Sequence, residues 1–143
     1  MTKLKELFEQ YLSLDYDQLL SRARELFSEV SAAFKRAFGT ENSAAQALLI
    51  TIFSCLSIDG KLTDDECRFL SDIFGFTKSY DEINNTVESL VGAVGGYMVA
   101  YRAASLLTAE ERKDLVSFCL CFLVIDKELS ENETAFIKKL LDQ

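Results

Sequence analysis

Apolar side chains recur every three to four residues along most of this chain, the spacing of helices that bury one face. Leu4, Leu7, Phe8, Tyr11 and Leu12 share one stripe over residues 3–12. Residues 16–38 continue the pattern with Leu19, Leu20, Ala23, Leu26, Phe27, Val30, Phe34, Ala37 and Phe38, and Gly39 follows as a C-terminal stop. A helix capped at Asn42 or Ser43 is predicted to run to Ile58, with Leu48, Leu49, Ile52, Phe53 and Leu56 inward, until Asp59-Gly60 breaks it. Four Ser/Thr-x-x-Glu boxes then mark helix starts: Thr63 to Glu66, Ser79 to Glu82, Thr108 to Glu111 and Ser130 to Glu133. In such a box the hydroxyl accepts from an orphan backbone N–H and the glutamate reaches back to the cap. The boxes predict helices near 64–74, 80–106, 109–125 and 131–141, the first closed by Gly75 and the second kinked or broken at Gly95-Gly96. No stretch sustains a two-residue alternation, and no linker divides the chain. The predicted fold class is all-α: one domain over 1–143, a bundle of six to eight helices.

The pattern also repeats. Residues 57–74, SIDGKLTDDECRFLSDIF, align with 124–141, VIDKELSENETAFIKKLL, at an offset of 67. Ile58, Asp59, Leu62, Glu66 and Phe69 recur as Ile125, Asp126, Leu129, Glu133 and Phe136. Thr63 becomes Ser130, and Leu70, Ile73 and Phe74 become Ile137, Leu140 and Leu141. Two pseudo-symmetric helical-hairpin halves are therefore expected, each a helix, a turn with an aspartate, and a capped helix.

Composition narrows the chemistry. The net charge of -8, with basic residues scattered, argues against nucleic acid and suits cations or a basic partner surface. The chain has no histidine, which removes Ser-His and Cys-His pairs, imidazole metal sites and di-iron Glu-x-x-His motifs together. Cys55, Cys67, Cys119 and Cys121 show no CxxC spacing and read as buried, reduced thiols. With a charged, helical N-terminus and no secretory signal, they point to the cytoplasm. Residues 89–107 carry a single charge, Arg102, and approach the length of a membrane span. Their small residues, Gly92, Gly95, Gly96, Ala100, Ala103 and Ala104, favour instead a buried central helix in a chain that does not itself span a membrane.

The repeat gathers acids at one corner twice: Asp59, Asp64, Asp65 and Glu66, then Asp126, Glu128, Glu131 and Glu133. An EF-hand frame puts Gly60 at the sixth loop position and Glu66 at the twelfth. It fails because Cys55 and Ser57 then stand where calcium needs oxygen ligands. Capping and helix-dipole duty account for each corner taken singly. If the two corners converge, their carboxylates repel, gain protons and favour a hard divalent cation. No nucleophile, base or phosphate loop accompanies the acids, so the chain reads as non-enzymatic.

Ser57-Ile58-Asp59-Gly60-Lys61-Leu62-Thr63-Asp64-Asp65-Glu66, with Phe69, Leu70 and Ile73, resembles the tellurite-resistance TerB family and the N-terminal domain of related membrane-anchored DnaJ-like co-chaperones. Val124 to Glu133, with Phe136 and Ile137, resembles the second half of the same pattern, so the likeness covers roughly residues 42–141. The resemblance implies a helical bundle whose acidic face binds metal. Carried over, the metal ligands would be Asp59, Asp65, Glu66, Asp126 and Glu133, and the cofactor a divalent cation such as Ca²⁺ or Mg²⁺. It also implies a stress- or tellurite-linked cytoplasmic adaptor with a protein partner at the membrane. Lys127 stands where the pattern expects glycine, Glu128 adds a charge, and residues 1–40 lie outside the motif. A purely structural or interaction bundle with no metal site stays open beside this reading.

Overall fold

The computed structural model describes residues 2–58, 63–75, 85 and 96–142. Among them run seven α-helices: α1 (Thr2–Leu12), α2 (Tyr16–Phe38), α3 (Glu41–Leu56), α4 (Asp64–Phe74), α5 (Gly96–Ser105), α6 (Ala109–Leu123) and α7 (Glu131–Leu141). A 3₁₀ turn, Val124–Asp126, extends α6. No strand occurs among the described residues, and none of their helices is long and apolar enough to cross a membrane.

Local chemistry sets the helix limits. The boxes at Thr63, Thr108 and Ser130 form in full, each hydroxyl accepting the N3 backbone N–H and each glutamate accepting from its cap. The Ser79–Glu82 box lies outside the described residues. A fourth box was missed: Asp15 accepts from Gln18 N at 2.8 Å, and Gln18 Oε1 accepts from Asp15 N at 3.0 Å. Asp and Gln perform the same two duties as Thr and Glu, so a search confined to hydroxyl and glutamate passes over it. Gly39 takes the left-handed φ of 85° that closes α2, and the chain re-enters extended backbone at Thr40. Thr40, not Asn42 or Ser43, therefore caps α3, accepting from Ser43 N at 3.2 Å.

Among the described residues the most fully buried helices are α3 and α6, and residues 89–95 of the predicted central helix over 89–107 lie outside them. Every residue from Ile50 to Leu56 is buried, and so are Leu115, Val116 and Phe118 to Leu123. The described part of that segment, α5, is amphipathic. Ala100, Ala103 and Ala104 are fully buried where α5 packs on α3, while Met98 is 74% exposed. Alanine lets the two backbones approach closely, so the small-residue face does hold a contact, along one side only.

The repeat is legible in burial position by position. Glu66, Phe69, Leu70 and Ile73 are buried in α4, and Glu133, Phe136, Ile137 and Leu140 are buried in α7. Both helices pack on α6, and α2 joins the same core through Leu19, Ala23, Leu26, Val30 and Phe34.

Arg112, in the first turn of α6, ties the chain after α5 to the end of α7. Its Nη1 donates to Leu107 O at 2.7 Å and its Nε to Leu141 O at 3.2 Å, satisfying carbonyls that two helix ends leave open. Removing a partly buried, charge-assisted donor of this kind costs about 2 kcal/mol. Arg112→Ala is expected to lose that amount in urea denaturation, and Arg112→Lys, lacking the fork, to recover less than half of it.

Candidate functional site

The two cap glutamates of the repeat differ from the third one, Glu111, in burial. Glu66 is 3% exposed and Glu133 7% exposed, although capping requires neither to leave water. Glu111 makes the same box at Thr108 in the open and also receives Arg36. The Thr108 N–H, helped by Arg36, holds the Glu111 carboxyl below its usual range. Glu66 moves the opposite way. Burial pushes it up to about 7, its own Thr63 N–H pulls it back, and the charge of Asp126 pushes it further up. One capping motif thus carries two opposite proton affinities, and the difference lies in what surrounds the carboxyl.

Asp126 comes from the other half of the repeat. It ends the 3₁₀ turn after α6 and meets Glu66 in a carboxyl–carboxylate hydrogen bond. The Thr63 hydroxyl lies 3.4 Å from Asp126 Oδ1, so the second half's aspartate sits across the first half's capping box. Glu133 reaches the same region. Its Oε1 accepts from Ser130 N at 2.9 Å, and its charge and that of Glu66 both act on the Cys55 thiol at the end of α3. The corners converge at Glu66 and Asp126, and Glu133 lines the same cavity.

Asp65 diverges from them. It lines a cavity of about 260 Å³ with Tyr16 and Arg68, separate from the one that Glu66 and Asp126 share. Successive residues on a helix point about 100° apart, which is why Glu66 and Asp65 cannot serve one centre together. Asp59 lies outside the described residues. Among the described residues no group of three or more His, Cys, Asp or Glu side chains is set to hold a metal ion. Of the five-ligand set drawn from the resemblance, Glu66 and Asp126 meet, Glu133 lines the same cavity, Asp65 lines another, and Asp59 lies outside the described residues.

The convergent acids line a groove of about 820 Å³. Leu4, Phe8 and Leu12 of α1 form its apolar wall, and Ser130, Glu133, Thr134 and Lys138 of α7 line the opposite side. The sequence placed α1 outside the motif and gave it no part in the site. Leu12 was assigned to the inward stripe but is 40% exposed at the groove's mouth. Lys127 adopts a left-handed φ of 63° as the chain leaves the 3₁₀ turn. Glycine takes that conformation freely, which gives a physical reason for the glycine the pattern expects at this position.

Chemically the groove offers proton storage and ionic recognition. Its hydroxyls are engaged, Ser130 in its cap and Thr134 donating to Ser130 O at 2.9 Å. The four cysteines, Cys55, Cys67, Cys119 and Cys121, are free and buried. Contact with Cys119 and then burial raise the Cys55 thiol well above its ordinary range, and burial pushes Cys67 up to about 11 and Cys121 to about 12. Thiolate is the reactive form. At pH 8, native protein should therefore titrate with Ellman's reagent over hours, and all four thiols within minutes in guanidinium. A fast native equivalent would show an accessible thiolate and contradict this placement.

Comparison of the chain with known protein families, with curated proteins and with solved structures finds no match.

Proposed function

We propose that this protein is a non-enzymatic, TerB-like interaction module of the cytoplasm that engages a protein partner through the groove between α1 and α7. The observation that carries the reading is the meeting of Glu66 and Asp126, one from each half of the repeat, inside a cavity with an apolar wall. A buried acid with displaced proton affinity beside apolar surface characterises a binding site more than a capping corner. The buried thiols fit a reducing compartment. The link to stress or tellurite resistance, and to a partner at the membrane, comes from the resemblance alone.

Cross-linked capture from an extract of its own cells tests the reading, comparing the native chain with Leu12→Arg/Asp126→Asn. Both positions are exposed, so the variant keeps its fold while the groove's mouth is filled and its acid neutralised. A partner held by the native chain and lost from the variant is expected. An identical set of captured proteins from both would place the partner surface elsewhere or dispense with one.

A second reading, a divalent cation at the same two carboxyls, is favoured by their direct contact and by the absence of either from the ion pairs among the described residues. A cation must displace the proton that Glu66 holds. Calorimetry with Ca²⁺ or Mg²⁺ at pH 6.5 should then give a heat that changes with buffer ionisation enthalpy. No heat at millimolar metal removes the cation and leaves the partner reading standing.

A further inference from the structure

The groove is polar along its length as well as across it. Tyr11 and Leu12 share a cavity with Val124, Ile125 and Lys127, so the C-terminal end of α1 lies at the 3₁₀ turn, where Asp126 meets Glu66. Leu4 and Lys5 line the groove at the other end of α1, about 12 Å away at 1.5 Å per residue. Lys138 lines it two turns beyond Ser130, about 12 Å along α7. One end therefore holds Glu66 and Asp126, with Leu12 beside them, and the other Lys5 and Lys138, with Phe8 between. Lys127 and Glu128 follow Asp126 at the acidic end, and Glu9 and Glu133 lie midway, so the gradient is one of excess rather than of pure sign.

We infer that the groove takes an extended peptide segment of a partner protein, with a basic side chain at the Glu66–Asp126 end, an acidic side chain near Lys5 and Lys138, and an apolar residue against Phe8 and Leu12. The segment rests on the partner reading above and specifies its chemistry. The separation of about 12 Å between the two ends sets the length of the segment. An extended chain advances 3.3–3.6 Å per residue, so about four residues bridge the two ends. Charge complementarity selects the order of the side chains and excludes the reversed placement, which sets like charges against each other at both ends.

Fluorescence polarisation with the full chain tests this, using labelled, N-acetylated, C-amidated Lys-Ser-Leu-Ser-Glu against Lys-Ser-Leu-Ser-Lys and Glu-Ser-Leu-Ser-Glu. The mixed peptide is expected to bind about tenfold more tightly than either other peptide. Lys5→Glu/Lys138→Glu, with unchanged circular dichroism, should transfer the preference to the all-lysine peptide. Best binding of the all-lysine peptide by the native chain would reveal general attraction to net negative charge and overturn the inference. So would a mixed-peptide preference that survives the charge swap, a groove occupied by a second copy in sedimentation, or no binding of any peptide at millimolar concentration. If no peptide binds while partner capture still depends on Leu12 and Asp126, the peptide assignment fails alone. If capture is also indifferent to them, the partner reading fails with it.

Discussion

Phe122→Ala should cost about 4 kcal/mol, the largest loss expected of any single substitution here. Phe122 is 1% exposed in the middle of the bundle. Its ring meets Phe69 edge-on at 5.0 Å and Phe118 edge-on at 5.1 Å, and stacks with Phe74 at 6.3 Å. Phe69 and Phe74 belong to α4 in the first half of the repeat, and Phe122 to α6 in the second, so the ring joins the halves. Phe27 of α2 ties the N-terminal region into the same cluster, 5.1 Å from Phe74 and 5.9 Å from Phe118. Deleting the ring removes its transfer free energy and leaves a cavity that three packed helices cannot close. In urea the midpoint should fall by about 2 M if the slope is near 2 kcal/mol/M. Phe122→Leu should cost less than half as much, since it conserves most of the volume. A double-mutant cycle between Phe69→Leu and Phe122→Leu should return a coupling of about 1 kcal/mol from the edge-to-face pair. A loss under 1 kcal/mol for Phe122→Ala, or additive single substitutions, would show that the halves are held together elsewhere.

The helix starts were readable because capping is local. Thr63, Thr108 and Ser130 each sit three residues before a glutamate, and those four-residue windows contain the whole interaction. The same locality made the repeat readable, since matched residues in α4 and α7 meet equivalent burial. The burial of α3 was less legible. Its apolar residues run without a break from Ala47 to Ile50 and resume at Ile52, Phe53, Cys55 and Leu56; a single inward stripe of Leu48, Leu49, Ile52, Phe53 and Leu56 understates this, since a helix apolar on nearly all sides belongs in the centre. The candidate site was readable only in its parts. The capping motif of Glu66 is the same as that of Glu111, yet one is buried against an aspartate and the other receives Arg36 in the open. That distinction depends on where the 3₁₀ turn carries Asp126, a consequence of how α6 packs against α4. The groove wall escaped for a similar reason: α1 bears an ordinary amphipathic stripe, and its partner surface is 120 residues further along the chain.

Glu66→Gln should raise stability at neutral pH while leaving the fold intact. Glutamine can take over both contacts. Its carbonyl can accept from Thr63 N as Glu66 Oε1 does at 2.8 Å, and Gln18 already performs this duty for Asp15 in the same protein. Its amide can donate to Asp126, supplying permanently the hydrogen that the carboxyl pair shares only when protonated. Burial raises the Glu66 carboxyl from the ordinary 4.5 to about 7, so the native state binds more protons than the unfolded chain between those values. Stability from this group is fully present below pH 4.5 and is lost as the pH rises through about 7. The displacement corresponds to about 3 kcal/mol, and water reaching the exposed Asp126 side lowers the expected value to about 2 kcal/mol. At pH 8 the variant should therefore melt about 6 °C above the native chain, taking roughly 3 °C per kcal/mol for a domain of this size. At pH 4.5 the two should melt within about 2 °C of each other. Subtracting the variant's curve from the native one cancels the repulsion that a net charge of -8 imposes on both at high pH. Equal melting temperatures across the range would mean that Glu66 ionises as it does in water. An even loss at every pH would mean that its carboxylate serves the cap and nothing beyond it. A difference that grows with pH is the signature of two carboxyls from opposite halves of the repeat, held together in one site.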